Sequence, residues 1–424
     1  MKKIRIDKHN KMKALLYLLA CFLILDGNSV YHSLVYRDLN LQFICIGIVA
    51  FIAFYATGRK IRVSFFIKIV LIFFYFFAYY VLKFDDVNQS VYFCVLIGVP
   101  LFLILFSSLK QLQMEFELFY CIEKIVLLLS AASLFFWFFG EVLGLIHTNM
   151  SVIVAWGKIK VYQGYYGLQF RTIYSNSLGA GLPINSGIFT EGPMFCLWLC
   201  ISLATECFLR DRMSKAKTVL LVTTILSTLS TTGIFFISAC VAMKYIGYIN
   251  GKVNTWKICL TIFLIMLLPV TIDALQQVYM LKVSTSSYSI RLQDYIAGYL
   301  LWKDNPIFGS GYGNITALQK YTLASKAGNV GFSNSISAIL GTGGLWNFVV
   351  YIISIMGPII RCNGEYAREK GFFIAYMFLT VFLIFNSRVI MVVFLAFSLY
   401  TINDIKNERI IKFQNIGFEK PEHL

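Results

Sequence analysis

Long apolar runs alternate with short polar segments along the whole chain. Most runs hold about 20 residues, enough for an α-helix to cross a ~30 Å hydrocarbon core. The pattern predicts an all-α fold, a polytopic integral membrane protein with about twelve transmembrane helices. The predicted spans are approximately 13–31, 38–56, 63–82, 91–109, 124–143, 191–209, 218–230, 232–250, 257–275, 334–357, 371–385 and 389–403.

One apolar stretch, residues 218–250, can be read either as one long helix or as two short ones. The two helices would meet at Ser230-Thr231-Thr232-Gly233. A single helix would place Lys252 and Lys257 on the outer side, against the preference of Lys and Arg for the cytoplasmic side. We therefore predict two helices.

These spans divide the chain into six parts and leave two long outer segments. Loops of this length in a compact protein are usually functional or disordered. The predicted parts are an N-terminal bundle of five spans (1–143), a first large outer loop (144–190), helices 6–9 (191–275), a second large outer loop (276–333), helices 10–12 (334–403) and a cytoplasmic tail (404–424).

The composition agrees with a membrane protein. Of the 424 residues, 58% are hydrophobic and only 14% are charged, whereas a soluble domain has about a quarter charged. The net charge of +16 does not indicate a nucleic-acid partner, because most Lys and Arg fall at predicted cytoplasmic positions. We expect a multi-pass membrane protein with both termini cytoplasmic and the lipid bilayer as its surroundings.

Metal, cofactor and disulfide chemistry find no support in the sequence. The ten cysteines fall in spans or on the cytoplasmic side, so no disulfide framework is indicated. Cys196 and Cys200 share a helix face without an accompanying histidine, which favours apolar packing. The outer loops carry no Asp-x-Asp pair. We predict no metal site and no cofactor.

The outer loops are rich in tyrosine and are expected to fold against the membrane surface. The tyrosines can form an interfacial belt or stack on sugar faces, and the belt is the simpler interpretation. They are Tyr162, Tyr165, Tyr166, Tyr174, Tyr279, Tyr288, Tyr295, Tyr299, Tyr312 and Tyr321. In the second loop, "SIRLQDYIAGYLLWKDNP" predicts an interfacial helix that ends before Pro306, with an apolar stripe at helical spacing.

Two further motifs follow that helix. "GSGYGN" (309–314) contains Gly311, Gly313 and Asn314; its glycines permit tight turns or close backbone approach to a ligand. In "GFSNSISAILGTGGLWNF", Ser333 or Asn334 is a good N-cap for the next span, followed by Ser335. A helix start at headgroup depth is suited to anion binding, although a plain cap explains it equally well.

The stretch "GIFTEGPMF" (187–195) places a carboxylate, a glycine and a proline at the mouth of a span. Thr190 can cap the helix, and Glu191 would then lie in the first turn, where the helix dipole favours an anion. Gly192 and Pro193 also suit a first turn. Helix capping, the helix dipole and first-turn preferences are enough to explain the motif. The alternative interpretation is that Glu191 is a catalytic carboxylate.

The charged residues of the spans lie near helix ends. Ion-coupled transporters usually keep ionisable groups near the bilayer midplane and have repeated halves, and neither feature is visible here. A site at the outer leaflet, built by loops and helix ends, fits the sequence better.

The motifs together resemble the O-antigen polymerase and ligase superfamily, membrane glycosyltransferases that act on polyprenyl-diphosphate-linked sugars. The resemblance rests on "GIFTEGPMF", on "STLSTTG" (227–233) and on an arginine, Arg291, followed by "GSGYGN", "SNS" and "GTGG". It covers most of residues 140–350. It implies a GT-C-like fold, a location in the cytoplasmic (inner) membrane of a bacterium, and the joining of lipid-linked oligosaccharide repeat units into a capsule, O-antigen or exopolysaccharide.

The resemblance also implies roles for individual residues. The leaving diphosphate needs cations, and the Arg guanidinium matches phosphate oxygens; the candidates are Arg171, Arg291 and Arg388. Glu191 is the best-placed general base. We expect Glu191 and Arg291 to be catalytic. Arg171, Arg388, Ser333, Asn334, Ser335, Gly311, Gly313 and Asn314 are expected to bind substrate. Flippase and chain-length regulator proteins are the implied partners.

One departure from the family pattern affects the choice of reaction. Ligases of this superfamily typically have His before "NS", where this chain has Ser333. This favours a polymerase over a ligase. Two other functions are alternatives. A flippase or exporter would be expected to line its interior with polar residues. An outward-facing acyltransferase would normally need a well-placed His.

Overall fold

The computed structural model describes residues 2–35, 41–56, 63–156, 158–171, 174–175, 182–245, 286–321, 333–362 and 367–416. Helices account for most of these residues. The helices are α1 (Lys2–Asp26), α2 (Val30–Val35), α3 (Leu41–Ala56), α4 (Val63–Leu82), α5 (Gln89–Gln111), α6 (Glu117–Phe136), α7 (Gly192–Ala204), α8 (Lys215–Ser227), α9 (Thr231–Tyr245), α10 (Ser286–Asp304), α11 (Ser335–Arg361), α12 (Ala367–Phe382) and α13 (Val389–Ile416).

Five helical segments in the described part of the chain are long and apolar enough to cross a membrane. They are Phe65–Leu82, Gln89–Gln111, Glu117–Val142, Gly192–Leu209 and Ser335–Arg361; Leu41–Tyr55, Thr231–Lys244 and Val389–Ile402 are shorter apolar helices. Each of the five overlaps a predicted span, with ends that agree to within about two turns. The predicted span 257–275 lies outside the described residues. Helix α13 continues to Ile416, so part of the predicted tail is helical.

The prediction of a mainly helical membrane protein is confirmed, but the all-α class omits a sheet in the segment predicted as the first large outer loop. Strands β1 (Met150–Trp156), β2 (Lys158–Tyr165) and β3 (Gln169–Arg171) form an antiparallel sheet in the order β1-β2-β3. Two short strands, Tyr174–Ser175 and Leu182–Pro183, pair separately. The physical reason is the rich supply of β-branched and aromatic residues, such as Val152, Val154 and Tyr162, which favour strands.

Residues 215–245 form two helices, as predicted from the charge pattern. Helix α8 ends at Ser227 and α9 begins at Thr231, with Leu229 in the left-handed region at φ 50°. The chain reverses here, because Gly233 packs on the side chain of Ile225 in α8. The break falls at 228–230, slightly before the predicted position. The tip of this hairpin meets the outer loop, where the Asn185 amide donates to Ser227 Oγ at 2.9 Å.

Helix α11 is interrupted one third of the way along its length. Gly344 has non-helical angles (φ 62°, ψ −172°) and divides the helix into 335–343 and 345–361. At this break the chain of α11 meets the segment after α10: Leu345 N donates to Pro306 O and Trp346 N to Ile307 O, both at 2.9 Å. Before the break, Gly341 allows close contact with Gly298 of α10.

The two ends of the helical bundle differ in their residues. The sheet, the tip of the α8–α9 hairpin and the turn 383–389 lie at one end, named here the sheet end. The opposite end carries buried Glu123, which accepts from Arg210 at 2.7 Å and Lys217 at 3.1 Å. This ion cluster joins the start of α6 to both ends of the segment between α7 and α8.

Candidate functional site

The turn 383–389, between α12 and α13, is the centre of the candidate site because distant segments meet on it. Ser335, at the start of α11, donates through Oγ to Leu383 O at 2.8 Å and accepts from Phe385 N at 2.9 Å. The Gln42 amide donates to Ser387 O at 2.6 Å. Helices α3, α11, α12 and α13 are therefore joined at one point of the sheet end.

Two further segments reach the same turn. Tyr312, from "GSGYGN", donates through its hydroxyl to Asn386 O at 3.2 Å. The Val389 N–H donates to Asp26 Oδ2 at 3.0 Å, which fixes the start of α13 against the end of α1. Asp26 is fully buried, and this N–H group at a helix start is a favourable partner for its carboxylate.

Arg388 projects from the turn into a pocket formed by α1 and α2. Its Nη1 lies 2.8 Å from His32 Nε2 and 3.8 Å from Asp26 Oδ1, and its Nη2 donates to Asn28 Oδ1. The arginine side chain is only 14% exposed. Arg388 was predicted to bind phosphate, and in the structure both of its terminal nitrogens already have acceptors from the protein.

His32 has a defined protonation state in this cluster. Burial, and then the nearby Arg388 charge, lowers the pKa of His32 to about 3. A guanidinium can only donate hydrogen bonds, so His32 Nε2 must accept and the remaining ring proton lies on Nδ1. His32 Nδ1 lies 3.8 Å from Asp26 Oδ1. The neutral ring and the guanidinium therefore both lie beside the buried Asp26 side chain, each with one nitrogen 3.8 Å from Oδ1.

Asn28 connects the Arg388 pocket to the predicted base. Its carbonyl oxygen accepts from Thr190 N at 3.1 Å and from Thr190 Oγ1 at 3.2 Å. Asn28 has a φ of 65°, a left-handed conformation that asparagine tolerates better than most residues. Arg388 and Thr190, the residue before Glu191, thereby contact the same residue.

Glu191 occupies a position one residue earlier in the helix than the sequence suggested. It is the N-cap of α7, with extended angles (φ −152°, ψ 154°), and Pro193 lies within the first two helical positions. Its carboxylate makes no hydrogen bond to the N–H groups at the start of α7. Thr190, the predicted cap, bonds to Asn28 instead. The half-buried carboxylate of Glu191 is therefore not used to cap the helix.

Tyr162 covers the same junction from the sheet. Its hydroxyl donates to Thr190 O at 3.2 Å. Burial, followed by the negative charge of Glu191, raises the pKa of Tyr162 to about 12. The phenol therefore remains a protonated donor near Glu191 at neutral pH.

Arg171, at the end of β3, lies beside the end of α6. Its Nε donates to Glu141 Oε2 at 2.7 Å, and its Nη2 lies 3.5 Å from the Tyr165 hydroxyl. The Glu141 side chain is 2% exposed and that of Arg171 is 36% exposed. This pairing had no signal in the sequence, because the two residues are separated by the β1–β2 hairpin.

The glycine motifs contact each other and the α4–α5 turn. Gly309 (φ 67°) lies against Gly344, so that a side chain at either position would overlap the backbone of the other segment. Gly311 (φ 101°) lies against the Asp86 carbonyl, and Gly313 lies against Asn88. The close approach that the sequence indicated is made here to the protein's own backbone.

Asn314 and Asn334 both stabilise helix starts. Asn314 Oδ1 accepts from Thr316 Oγ1 at 2.6 Å and from Ala317 N at 3.3 Å, at a 3₁₀-helix (Thr316–Tyr321). Asn334 is the N-cap of α11, accepting from Ser337 N at 2.8 Å. Ser333 precedes it and is half-buried. The alternative of Ser333 as the cap is therefore excluded.

The structure brings most of the predicted site residues to the sheet end. Arg388, Ser335 and "GSGYGN" meet at the turn 383–389, and Glu191 is one residue from the Asn28 contact. Arg171 lies at the end of β3. Arg291 is on α10, one turn before Tyr295, whose hydroxyl donates to Val381 O at 2.8 Å; the Arg291 side chain lies outside the described part. Sequence reasoning missed Asp26, Asn28 and His32 as members of the site.

A comparison with known families finds a match. A family model described as O-antigen ligase matches residues 216–352. The chain is similar to the O-antigen polymerase and ligase superfamily over that region, which confirms the resemblance seen in the sequence. The match supports membrane glycan processing of the polymerase or ligase type. Among curated proteins, none matches this chain.

The matched region runs from α8 into α11. It contains the α8–α9 hairpin, "GSGYGN", Asn334 and "GTGG". Arg171, Glu191 and Arg388 lie outside it.

Proposed function

We propose that this protein is a polymerase that joins polyprenyl-diphosphate-linked oligosaccharide repeat units into a surface polysaccharide. The sheet end would face outward from the cytoplasmic membrane, with both termini cytoplasmic. The observation that carries the proposal is the convergence at the sheet end of the three motifs on which the family resemblance rests. "STLSTTG" contacts Asn185 near the start of α7, and "GSGYGN" and Asn334-Ser335 contact the turn 383–389.

In this proposal the arginines bind the diphosphate of the donor lipid. Arg171, on the sheet, is the most exposed of those with a described side chain. Arg291, one turn before Tyr295 on α10, is expected to contribute the second cation. Arg388, enclosed by Asp26, His32 and Asn28, would contribute mainly through its positive charge and by holding the turn. An arginine binds phosphate oxygens through paired N–H groups, a geometry that lysine lacks.

Glu191 is the proposed general base for the acceptor sugar hydroxyl. Its carboxylate makes no hydrogen bond to the start of α7, and Glu191 directly follows Thr190, whose carbonyl oxygen accepts from the Tyr162 hydroxyl. A positioned base typically contributes a factor of about 10²–10⁴ to transfer. The acceptor hydroxyl oxygen attacks the anomeric carbon of the donor sugar and forms the glycosidic bond. Its proton passes to Glu191, and the bond from the anomeric carbon to the polyprenyl diphosphate breaks, so that the diphosphate leaves. We expect this transfer to proceed without a metal ion.

The test is a deletion strain whose lipid-linked and surface glycans are analysed. Single repeat units on the lipid carrier or at the surface are expected if the protein is a polymerase. Long chains that remain on the lipid carrier would instead identify a ligase, the second candidate, which the family description supports. Repeat units that accumulate only on the cytoplasmic side would indicate a flippase or exporter and would exclude both enzymes.

A further inference from the structure

The tyrosine of "GSGYGN" lies deeper in the protein than the other side chains of the motif. Tyr312 is fully buried, whereas Ser310 and Asn314 are half-buried. Its N–H donates to the Tyr79 hydroxyl at 3.1 Å, and its carbonyl oxygen accepts from Asn88 N at 3.0 Å. The backbone of Tyr312 is therefore fixed on both sides, by α4 and by the start of α5.

The glycines on either side of Tyr312 make this position possible. Gly311 and Gly313 have φ values of 101° and 76°, in the left-handed region. A Cβ at Gly311 would overlap the Asp86 carbonyl, and one at Gly313 would lie 3.0 Å from the Cβ of Asn88. Glycine is the residue that permits both these backbone angles and so close a contact. The loop can thus pass tightly along the α4–α5 turn while the tyrosine ring enters the bundle.

The hydroxyl of Tyr312 belongs to a short chain of hydrogen bonds with a defined direction. It lies 2.7 Å from the Tyr351 hydroxyl of α11 and donates to Asn386 O at 3.2 Å. A phenol has one proton to donate, so Tyr351 donates to Tyr312 when Tyr312 donates to the carbonyl. The two rings are stacked, with planes 7° apart. Both tyrosines are at most 1% exposed, so bulk water does not replace these bonds.

The acceptor of this chain is the middle residue of the turn 383–389. Contacts from α11 hold the turn before its middle, and contacts from α3 and α1 hold it after its middle. Tyr312 holds Asn386 itself. Arg388 follows two residues later, and its Nη1 lies 2.8 Å from His32 Nε2. A displacement of Asn386 would therefore reach the contact between Arg388 and His32.

We propose that Tyr312 is a positioning residue, which through Asn386 holds the turn 383–389 in the place from which Arg388 acts. The role of "GSGYGN" is then to place this one tyrosine in the bundle. The consequence for glycan transfer rests on the proposed function, in which Arg388 supplies positive charge for the diphosphate. The contact between Tyr312 and the turn does not depend on that function.

The test compares three variants of the full chain. Tyr312→Phe removes the donor to Asn386 O but keeps the ring and both backbone hydrogen bonds. Tyr351→Phe is the matched control, because Tyr312 can still donate to Asn386 O. The double variant removes the same donor without leaving a buried Tyr351 hydroxyl that has lost its acceptor. It therefore separates loss of the contact with the turn from the cost of an unsatisfied buried group.

Three quantities are measured for each variant. Solid-state NMR of the full chain in lipid bilayers, with isotope-labelled nitrogen in its four histidines, reports the hydrogen bond at His32 Nε2. His32→Gln assigns that signal. The melting temperature reports stability. A purified-protein assay with lipid-linked repeat units, at equal folded amounts, reports transfer.

We expect Tyr312→Phe and the double variant to shift the His32 Nε2 signal and to lower transfer at least about ten-fold, because small displacements in an active site are costly. Tyr351→Phe should match wild type in both measurements. The melting temperature should fall by about 2–4 °C in Tyr312→Phe and should recover in the double variant. Activity would then follow the contact with Asn386 and not the stability.

An unchanged His32 signal in Tyr312→Phe would show that Tyr312 does not hold the turn, and would overturn the proposal. A shifted signal with wild-type transfer would also overturn it, because the position of the turn would not matter for the reaction. Transfer that recovers together with stability in the double variant would mean a purely structural role. If wild type shows no transfer, the proposed polymerase fails, and the NMR comparison still decides whether Tyr312 holds the turn.

Discussion

Arg388 Nη1 and His32 Nε2 lie 2.8 Å apart, although 356 residues separate them in the sequence. The guanidinium is always protonated, so this contact makes His32 the acceptor and requires a neutral ring. Asp26 Oδ1 lies 3.8 Å from both His32 Nδ1 and Arg388 Nη1. The contact explains how a histidine can be buried beside an arginine without a second positive charge.

The first prediction concerns the pH dependence of stability. Burial and Arg388 lower the pKa of His32 to about 3 in the folded protein, against about 6.5 in the unfolded chain. The unfolded chain therefore binds this proton first, and stability decreases as the pH falls below about 6.5. The loss between pH 7 and pH 5 should be about 2 kcal/mol.

Thermal unfolding in detergent at pH 7 and pH 5 checks this value. His32→Gln keeps an acceptor for Arg388 but does not titrate, so its loss over that interval should be smaller by the same amount. His147→Gln, at an exposed position of the sheet end, is the matched control and should behave as wild type. Identical losses in wild type and His32→Gln would show that His32 does not titrate in this way.

The second prediction separates chemistry from helix capping at Glu191. Because its carboxylate does not cap α7, Glu191→Gln should change stability by less than about 1 kcal/mol. As a base it should lower transfer by ~10²-fold or more. Glu191→Asp keeps the charge but withdraws the carboxylate by one methylene, and should also impair transfer. A purified-protein assay with lipid-linked repeat units, at equal folded amounts, measures both. Full activity in the Gln variant would remove Glu191 from the mechanism.

The third prediction concerns the pair of Arg171 and Glu141. Arg171→Ala leaves the buried Glu141 carboxylate without its donor, which should destabilise the protein by roughly 1–3 kcal/mol. Adding Glu141→Gln removes the buried charge and should restore most of that stability. If Arg171 binds diphosphate, the double variant folds but stays inactive, and Glu141→Gln alone keeps activity. Recovery of activity in the double variant would show that Arg171 serves Glu141 alone.

The fourth prediction tests the contact between the glycine motifs. Gly344→Ala should cost more than about 2 kcal/mol, because φ is positive and a methyl group would overlap the backbone at 307–309. Gly47→Ala is the matched control, since a Cβ there meets nothing within 4 Å. In a helix interior that control should gain about 0.5–1 kcal/mol. The difference in melting temperature between the two variants measures the effect; equal melting temperatures would contradict it.

The fifth prediction concerns orientation in the membrane. In a background without native cysteine, Gln163→Cys on β2 should react with an impermeant thiol reagent in intact cells, whereas Arg212→Cys at the opposite end should react only after lysis. Both positions are exposed. The reverse pattern would mean that the sheet end faces the cytoplasm, and the proposed outward site would be wrong.

Much of the fold could be predicted from the sequence, because helix spans and charge placement are local signals. The break in 215–245 could be predicted, since Lys252 and Lys257 fix the side on which the chain returns. The sheet was missed although its signal was present. Val152 and Val154 point one way and Ile153 the other, but the surrounding tyrosines and glycines were taken as a belt and turns.

The site could be predicted less well because it is assembled from distant segments. Glu191 and Arg388 stood out as charged residues at helix ends. Asn28 contacts both Arg388 and Thr190 because of the way α1, α7 and α13 pack. Packing between segments so far apart in the chain leaves no pattern in a single sequence. For the glycines, the sequence predicted tight turns or close backbone approach to a ligand; it could not show that Gly311 lies against the Asp86 carbonyl of the protein itself.

The buried contact of Asp26 with Val389 has a consequence for how the chain is made. A ribosome produces Asp26 363 residues before the N–H that binds it. During most of synthesis the first helix therefore carries a carboxyl group whose final partners, Arg388 and Val389, do not yet exist. Until they are made, the carboxyl group must be either protonated or in contact with water. In a chain that ends before the last helix, the Asp26 carboxyl group would stay without these partners. Cellular quality control could recognise an incomplete chain by this group.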